Sequence, residues 1–159
     1  MARIQSRSQA RLTINIDNLI QIRNLLEKPV VIKTGLFADN DHRTDGKSNI
    51  AIGADHEFGR SDANLPMRSW LRLPFFLKKK NIEDVAQTAL ANGLKKKSMK
   101  GFYDKIAAEC LHIVRGAFAT GGYGNWQQLS DQTIAKKGHD TILRDTDQLL
   151  NAVESRVVK

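Results

Sequence analysis

Apolar residues alternate over 10–16, with Ala10, Leu12, Ile14 and Ile16 on one side and Arg11, Thr13 and Asn15 on the other. A period of two predicts a half-buried strand. Asp17 then reads as a helix N-cap, and Leu19, Ile20, Arg23 and Leu26 follow at helical spacing as far as Pro29. Proline ends that run because the residue before it is pushed out of the helical region. Val30-Val31-Ile32-Lys33-Thr34-Gly35-Leu36-Phe37 reads as a second strand with a glycine at a bulge position.

Residues 38–48 are almost devoid of apolar side chains and predict an exposed loop. Ile50, Ala54 and Phe58 recur at every fourth position, a short helix ending at Gly59, and residues 60–66 form a second polar loop closed by Pro66. Two long helices follow. Asn81 is the expected cap of the first, whose buried face carries Ile82, Val85, Ala86, Ala89, Leu90 and Leu94. The second places Met99, Phe102, Ile106, Cys110, Ile113, Ala117 and Phe118 on one stripe and stops before Gly121-Gly122. Residues 121–138 are rich in Gly, Gln and Ser around Trp126. Asp145 and Thr146 can cap one helical turn, and Val153, Ser155 and Val157 alternate like a closing edge strand.

The expected fold class is therefore α+β: a single domain over 1–159, with a small antiparallel β-sheet, two long helices and extended loops. Residues 1–9 read as a flexible or partner-contacting arm. At 159 residues and 41% hydrophobic the chain can bury one core, which excludes collagen-like and disordered classes. One cysteine cannot form an internal disulfide. No apolar run nears the roughly 18 residues of a membrane span, so no membrane partner is expected. The basic N-terminus lacks the apolar stretch of a signal peptide, which points to synthesis in the cytoplasm.

Motifs with a chemical mechanism fail on inspection. Gly46-Lys47-Ser48 ends like a phosphate-binding loop, but position 41 is Asp41 where that pattern needs glycine. His56-Glu57 opens like a zinc-protease helix, but Arg60 stands where the second histidine belongs. Asp41, Asp45 and Gly46 mimic a calcium loop, yet Arg43 and Ile52 occupy ligand slots. Cys110 lies mid-stripe and reads as a small hydrophobe. His112 falls on a polar helix face, while His42 and His139 fall in loops. No catalytic residue, cofactor or metal is expected, and the chain reads as no enzyme.

The net charge of +8 is concentrated in lysine clusters: Lys78-Lys79-Lys80, Lys95-Lys96-Lys97 with Lys100, and Lys136-Lys137. Contact with phosphates or with an acidic partner is one reading of Lys78, Lys79, Lys80, Lys95, Lys96 and Lys97. The plainer one sets Lys95 to Lys97 at the C-terminal end of a helix that starts with Glu83 and Asp84, complementing its dipole. Aromatics make up only 6% of the chain, so no base-stacking ladder is present to read sequence.

Two segments go further. Ile50-Ala51-Ile52-Gly53-Ala54-Asp55-His56-Glu57-Phe58-Gly59 with Leu65-Pro66-Met67-Arg68-Ser69-Trp70-Leu71-Arg72-Leu73-Pro74-Phe75 resembles the "HEFG … IP-x-R-SFLRP-x-F" stretch of neck and tail-completion proteins of long-tailed bacteriophages. Trp126-Gln127-Gln128-Leu129-Ser130-Asp131-Gln132-Thr133-Ile134-Ala135-Lys136-Lys137-Gly138, then Ile142 to Leu149, resembles that family's "W-x-x-L-S-x-x-T-I-x-x-K-G … L-x-D-T-G-x-L" ending. Order and rough spacing agree over more than half the chain. Asp147 replaces the family's glycine after Asp-Thr, and Leu73 separates Arg72 from Pro74.

The resemblance implies a virion protein that forms a ring, six-fold in most of the family, at the head–tail junction or tail terminus. Its partners would be copies of itself, the connector and the tail tube, with genomic DNA passing through the lumen without sequence-specific binding. Glu57, Phe58, Arg68, Trp70, Leu71, Arg72 and Trp126 are then candidate interface residues, because Arg and aromatic side chains carry interface energy once desolvated. The plainer reading makes Phe58, Trp70 and Leu71 core and pairs Glu57 with Arg68 inside one subunit. Two alternatives remain: a non-specific DNA-binding protein of packaging or replication, and a small hydrolase built on His56 and Glu57.

Overall fold

The computed structural model describes residues 16–27 and 29–158. The arm at 1–9 and the strand expected from residue 10 lie outside them, except for Ile16. That residue starts helix α1 (Ile16–Leu26), which places Asp17 in the first turn. A helix placed over Ile16 ends the period-two pattern there, since Leu19, Ile20 and Arg23 follow at helical spacing. The α1 side chains Ile16, Leu19 and Ile20 are exposed, and Tyr103 Oη holds the helix by donating to Leu25 O at 2.9 Å.

Strand β1 (Val31–Gly35) pairs antiparallel with β2 (Glu154–Val158), in the register Val31↔Val158 to Gly35↔Glu154. Among the described residues these two strands form the only sheet. Two strands alone are marginal in water, so side chains reinforce the pair. Thr34 and Ser155, directly opposite, join hydroxyls at 2.8 Å. Arg156 stacks 3.9 Å over the Phe37 ring and donates to Asp39 and Glu154.

Helix α2 (Asn49–Phe58) begins at Ser48, whose Oγ accepts from Ala51 N at 3.0 Å. Asp41 accepts from Ser48 Oγ and from Asn49 N, each at 2.5 Å. The chain's own carboxylate thus takes the place a phosphate takes in a nucleotide-binding loop. The 38–48 loop is tethered to the body of the chain: Arg43 donates to Asn49 at 3.0 Å, and Thr44 N to Gln148 at 3.0 Å. The 60–65 loop is closed by a backbone bridge between Arg60 and Leu65.

Two helices were not expected. The first, α3 (Arg72–Leu77), runs through Lys78 into α4 (Lys79–Lys95). Asn81 therefore lies inside α4 and caps nothing. Glu83 and Asp84 fall in the second turn, where they answer Lys79 and Lys80. Helix α5 (Phe102–Thr120) returns antiparallel to α4 and buries Ala107, Cys110, Ile113, Val114, Ala117 and Phe118. It also lies across the sheet, where burial raises the Cys110 thiol above its ordinary value although Thr34 hydrogen-bonds to it.

The second unexpected helix is α6 (Asp131–Lys137), capped by Ser130 and closed by Gly138 at φ 77°. Helix α7 (Gln148–Asn151) starts at Asp147 and leads into β2. The central core joins Trp70, Val114, Ala117, Phe118, Trp126, Ile142, Leu149 and Val153. Phe118 sits between the two tryptophans, 5.9 Å from the Trp70 ring and 5.8 Å edge-on from Trp126. Such aromatic geometry adds about 1 kcal/mol per pair beyond area burial. The fold is α+β in a single small domain.

Candidate functional site

The C-terminal end of α2 and the start of α3 meet at one carboxylate. Glu57 is 4% exposed. It accepts from Ser69 Oγ at 2.8 Å, Trp70 N at 2.8 Å, Leu71 N at 2.9 Å, Arg72 N at 3.2 Å and Arg72 Nε at 2.8 Å. Helix starts leave backbone N–H groups without intrahelical partners, and a carboxylate there also meets the positive end of the dipole. Burial alone would raise the Glu57 pKa. The donations from Arg72, Leu71 and Ser69 outweigh it, so the carboxyl sits below its ordinary value.

The pairing is therefore Glu57 with Arg72, and not Glu57 with Arg68. Arg68 N donates to His56 O at 2.7 Å, and its Nε donates to Gln127 O at 3.1 Å. Trp70 Nε1 donates to Gly53 O at 2.8 Å, and Trp126 Nε1 to Ser69 O at 3.0 Å. The two motif segments, far apart in sequence, thus close on each other through Arg68 and Trp126.

Burial divides the candidate interface residues. Glu57, Arg68, Trp70 and Trp126 are inside the chain, each at 5% exposure or less, so they organise its interior rather than present a surface. Leu71 is half-buried against the core. Phe58 and Arg72 are at the surface, with the Arg72 guanidinium 4.4 Å above the Phe58 ring. Beside them stand exposed Met67, Phe76 (80%) and Leu77. Phe76 is one helical turn beyond Arg72, and Met67 N lies 2.9 Å from where a Cβ on Gly59 would sit. Gly59 is held at φ 74°, so that approach needs glycine twice over. Sequence reasoning missed Phe76 and Leu77, although three apolar residues in a row at Phe75-Phe76-Leu77 cannot all face inward from one helix.

The lysines are partly engaged within the chain. Lys78 Nζ lies 4.5 Å over the Tyr123 ring. Lys79 pairs with Glu83 at 3.7 Å and Lys80 with Asp84 at 2.6 Å, while Lys97 reaches Asp17 at 3.7 Å. Lys95 and Lys96 are exposed at the C-terminal end of α4, where the dipole favours cations.

A cleft of about 620 Å³ separates α2 and the 60–66 loop from α6 and the 141–148 segment. His56 lines it, and its buried Nδ1 has no hydrogen-bond partner. Burial first, then the Arg68 and Lys137 charges, push the His56 pKa down to about 4. Ser69 Oγ donates to Glu57 at 2.8 Å and is not part of the cleft lining, and the serine that does line it, Ser130, caps α6 by accepting from Thr133 N at 3.3 Å. Among the described residues no group of three or more His, Cys, Asp or Glu side chains can hold a metal ion. None of the described helices is long and apolar enough to cross a membrane. No family model, curated protein or solved structure matches the chain.

Proposed function

We propose that the chain is a structural virion subunit that joins or completes a phage tail, forming a ring at the head–tail junction or tail terminus through which DNA passes. The observation that carries this reading is that the two resemblance segments form one interlocked unit: Glu57–Arg72 closes the first on itself, and Arg68–Gln127 and Trp126–Ser69 join it to the second. That unit leaves Phe58, Met67, Arg72, Phe76 and Leu77 on one exposed edge. Exposed apolar groups rimmed by charge are the composition of a protein-binding edge.

A second feature supports it. The family's glycine after Asp-Thr is Asp147 here, and that residue adopts the left-handed conformation at φ 55°. Gly59 and Gly138, which close the "HEFG" and "K-G" parts of the motifs, also have positive φ, 74° and 77°. The departure at Asp147 thus keeps the backbone turn. The Arg144 pair at 2.8 Å holds its carboxylate.

A ring needs one heterologous patch and its complement, repeated until rotation closes it. The test is native mass, measured alone and after mixing with tails or particles that lack the protein. A closed oligomer, or one formed only on the particle, supports the joining role. A monomer that ignores particles and binds duplex DNA with steep salt dependence overturns it in favour of the DNA-binding reading.

A further inference from the structure

Arg68 is 5% exposed and lines the cleft, yet among the described residues its guanidinium makes one hydrogen bond, from Nε to Gln127 O. Among the described residues no carboxylate pairs with it. Burial alone acts on its pKa, downward, with no acid raising it. Buried charges in proteins are ordinarily paired, because desolvation without a counter-ion is costly. Arg43, the other arginine of the cleft, follows that rule and is bound to Asp45 at 2.9 Å.

His56 and Lys137 line the same cleft. Lys137 Nζ donates to backbone carbonyls, Thr141 O at 2.8 Å and Arg144 O at 3.4 Å, and among the described residues no carboxylate forms an ion pair with it. His56 Nδ1 is buried without a partner, and a neutral imidazole can carry its proton on that nitrogen. The acids of the cleft are Asp145 and Asp147, of which Asp147 is paired with Arg144.

We propose that this end of the cleft is a seat for a carboxylate, held by the Arg68 guanidinium with His56 and Lys137 as flanking donors. A guanidinium fork matches the two oxygens of a carboxylate. Ile52, Leu65, Leu143 and Leu149 line the same cleft and suit the methylenes of an acyl chain or a glutamate side chain, which inorganic phosphate does not offer. Asp145 on the cleft wall also repels a dianion more than a monoanion. The volume, about 620 Å³, accommodates a short peptide segment as readily as a free organic acid. The seat stands on the cleft alone and does not depend on the virion reading.

The experiment is a heteronuclear NMR titration of the full chain, following the Arg68 Nε–H and His56 ring signals. The probes are acetate, a blocked Ala-Glu-Ala peptide, its blocked Ala-Gln-Ala counterpart and inorganic phosphate. Saturable shifts of both signals are expected with acetate or the glutamate peptide, with binding of the glutamine peptide at least about tenfold weaker, the worth of a charge-assisted hydrogen bond. Acetate alone marks a free organic acid as the source, and a stronger peptide marks an acidic segment of a partner chain. Arg68→Lys, which keeps the charge and loses the fork, is expected to weaken binding about tenfold. Lys137→Gln, at the half-buried C-terminal end of α6, serves where Arg68→Lys does not fold, and is expected to weaken binding several-fold. Shifts with phosphate alone, equal binding of the two peptides, or no shift with any probe overturns the proposal.

Discussion

Glu57 and Arg72 meet at 2.8 Å, but the two partners are unequal: the carboxylate is 6% exposed at its side chain and the guanidinium 59%. Glu57 also serves Ser69 and three backbone N–H groups, whereas Arg72 gives Glu57 two of its several donors and spends the rest on solvent and the Phe58 face. Removing one end is therefore not equivalent to removing the other. Glu57→Ala leaves buried donors unmatched and is expected to cost about 3–5 kcal/mol. Arg72→Ala breaks a solvent-screened contact and is expected to cost about 1 kcal/mol or less. Urea unfolding of both variants checks the asymmetry; equal losses would show that Glu57 acts only as Arg72's ion partner.

Gly122 and Gly124 lie in the same turn, both at positive φ, 69° and 79°. A Cβ on Gly122 would stand 2.3 Å from the Trp126 ring, while one on Gly124 meets nothing within 4 Å. Gly124→Ala carries only the left-handed backbone cost, about 1–2 kcal/mol. Gly122→Ala adds displacement of a buried indole and is expected to cost more than about 3 kcal/mol. Its tryptophan fluorescence should shift to the red as Trp126 loses the donation to Ser69 O. Matching stabilities for the two variants would mean that the ring moves aside freely.

The elements most legible in the sequence are those whose apolar period is long and uninterrupted. Helix α5 and strands β1 and β2 were readable because Ile106, Cys110, Ile113 and Ala117 keep a helical stripe, and Val153, Ser155 and Val157 a strand alternation. Helix α3 was hidden because its start is set largely by Glu57, fifteen residues before Arg72; the local signal is Ser69, whose Oγ accepts from Leu73 N at 3.0 Å two residues ahead of the N-cap Leu71, which itself makes no cap bond. Helix α6 carried readable signals that went unused: Ser130 three residues before Thr133, Lys136 and Lys137 in the last turn, and Gly138 after it. The inward role of Glu57, Arg68, Trp70 and Trp126 was not legible from residue type. Arginine and tryptophan serve an interface or a core equally well, and the long-range contacts decide which. The cleft was illegible for the same reason, since its walls come from segments about seventy residues apart.

His56 ties stability to pH. Its pKa falls from an unfolded value near 6.5 to about 4 in the folded chain. Between those values the unfolded state binds more protons, so stability falls as pH drops through that window and is fully present above it. The loss by pH 4 is on the order of 3 kcal/mol for this group. Glu57, whose pKa is also lowered, adds a further loss below its ordinary carboxylate range. His56→Gln should flatten the curve between pH 6.5 and 4 while leaving the steeper acid limb. Denaturant midpoints at half-unit intervals distinguish the two, and an unchanged wild-type slope in the variant refutes the assignment.

The exposed edge separates assembly from folding. Phe76 is 80% exposed, so Phe76→Ser removes almost no buried area and is expected to change unfolding free energy by no more than about 0.5 kcal/mol. Under the proposed function the same change should abolish or sharply weaken attachment to particles lacking the protein, scored by sedimentation. Normal attachment with Phe76→Ser and with Phe58→Ser would place the joining surface elsewhere.

Under the proposed function, the lysine clusters distinguish a subunit that surrounds DNA from a chain that grips it. Lys79 and Lys80 are answered by Glu83 and Asp84, and Lys97 by Asp17, which leaves Lys95 and Lys96 as exposed cations at the far end of α4 from Phe76, with exposed Lys100 just beyond them. A helix of 17 residues puts those two ends about 25 Å apart. DNA sliding through a ring calls for diffuse charge, since each neutralised phosphate adds affinity and about 0.9 to the salt slope. The isolated chain is accordingly expected to bind duplex DNA negligibly near physiological salt, with a slope below about 2, corresponding to no more than two phosphates. Fluorescence anisotropy against salt measures it directly. A slope of about 6 or more, abolished by Lys95→Gln with Lys96→Gln, would show a phosphate-gripping surface, and a particle map with these lysines lining the channel would place it in the lumen.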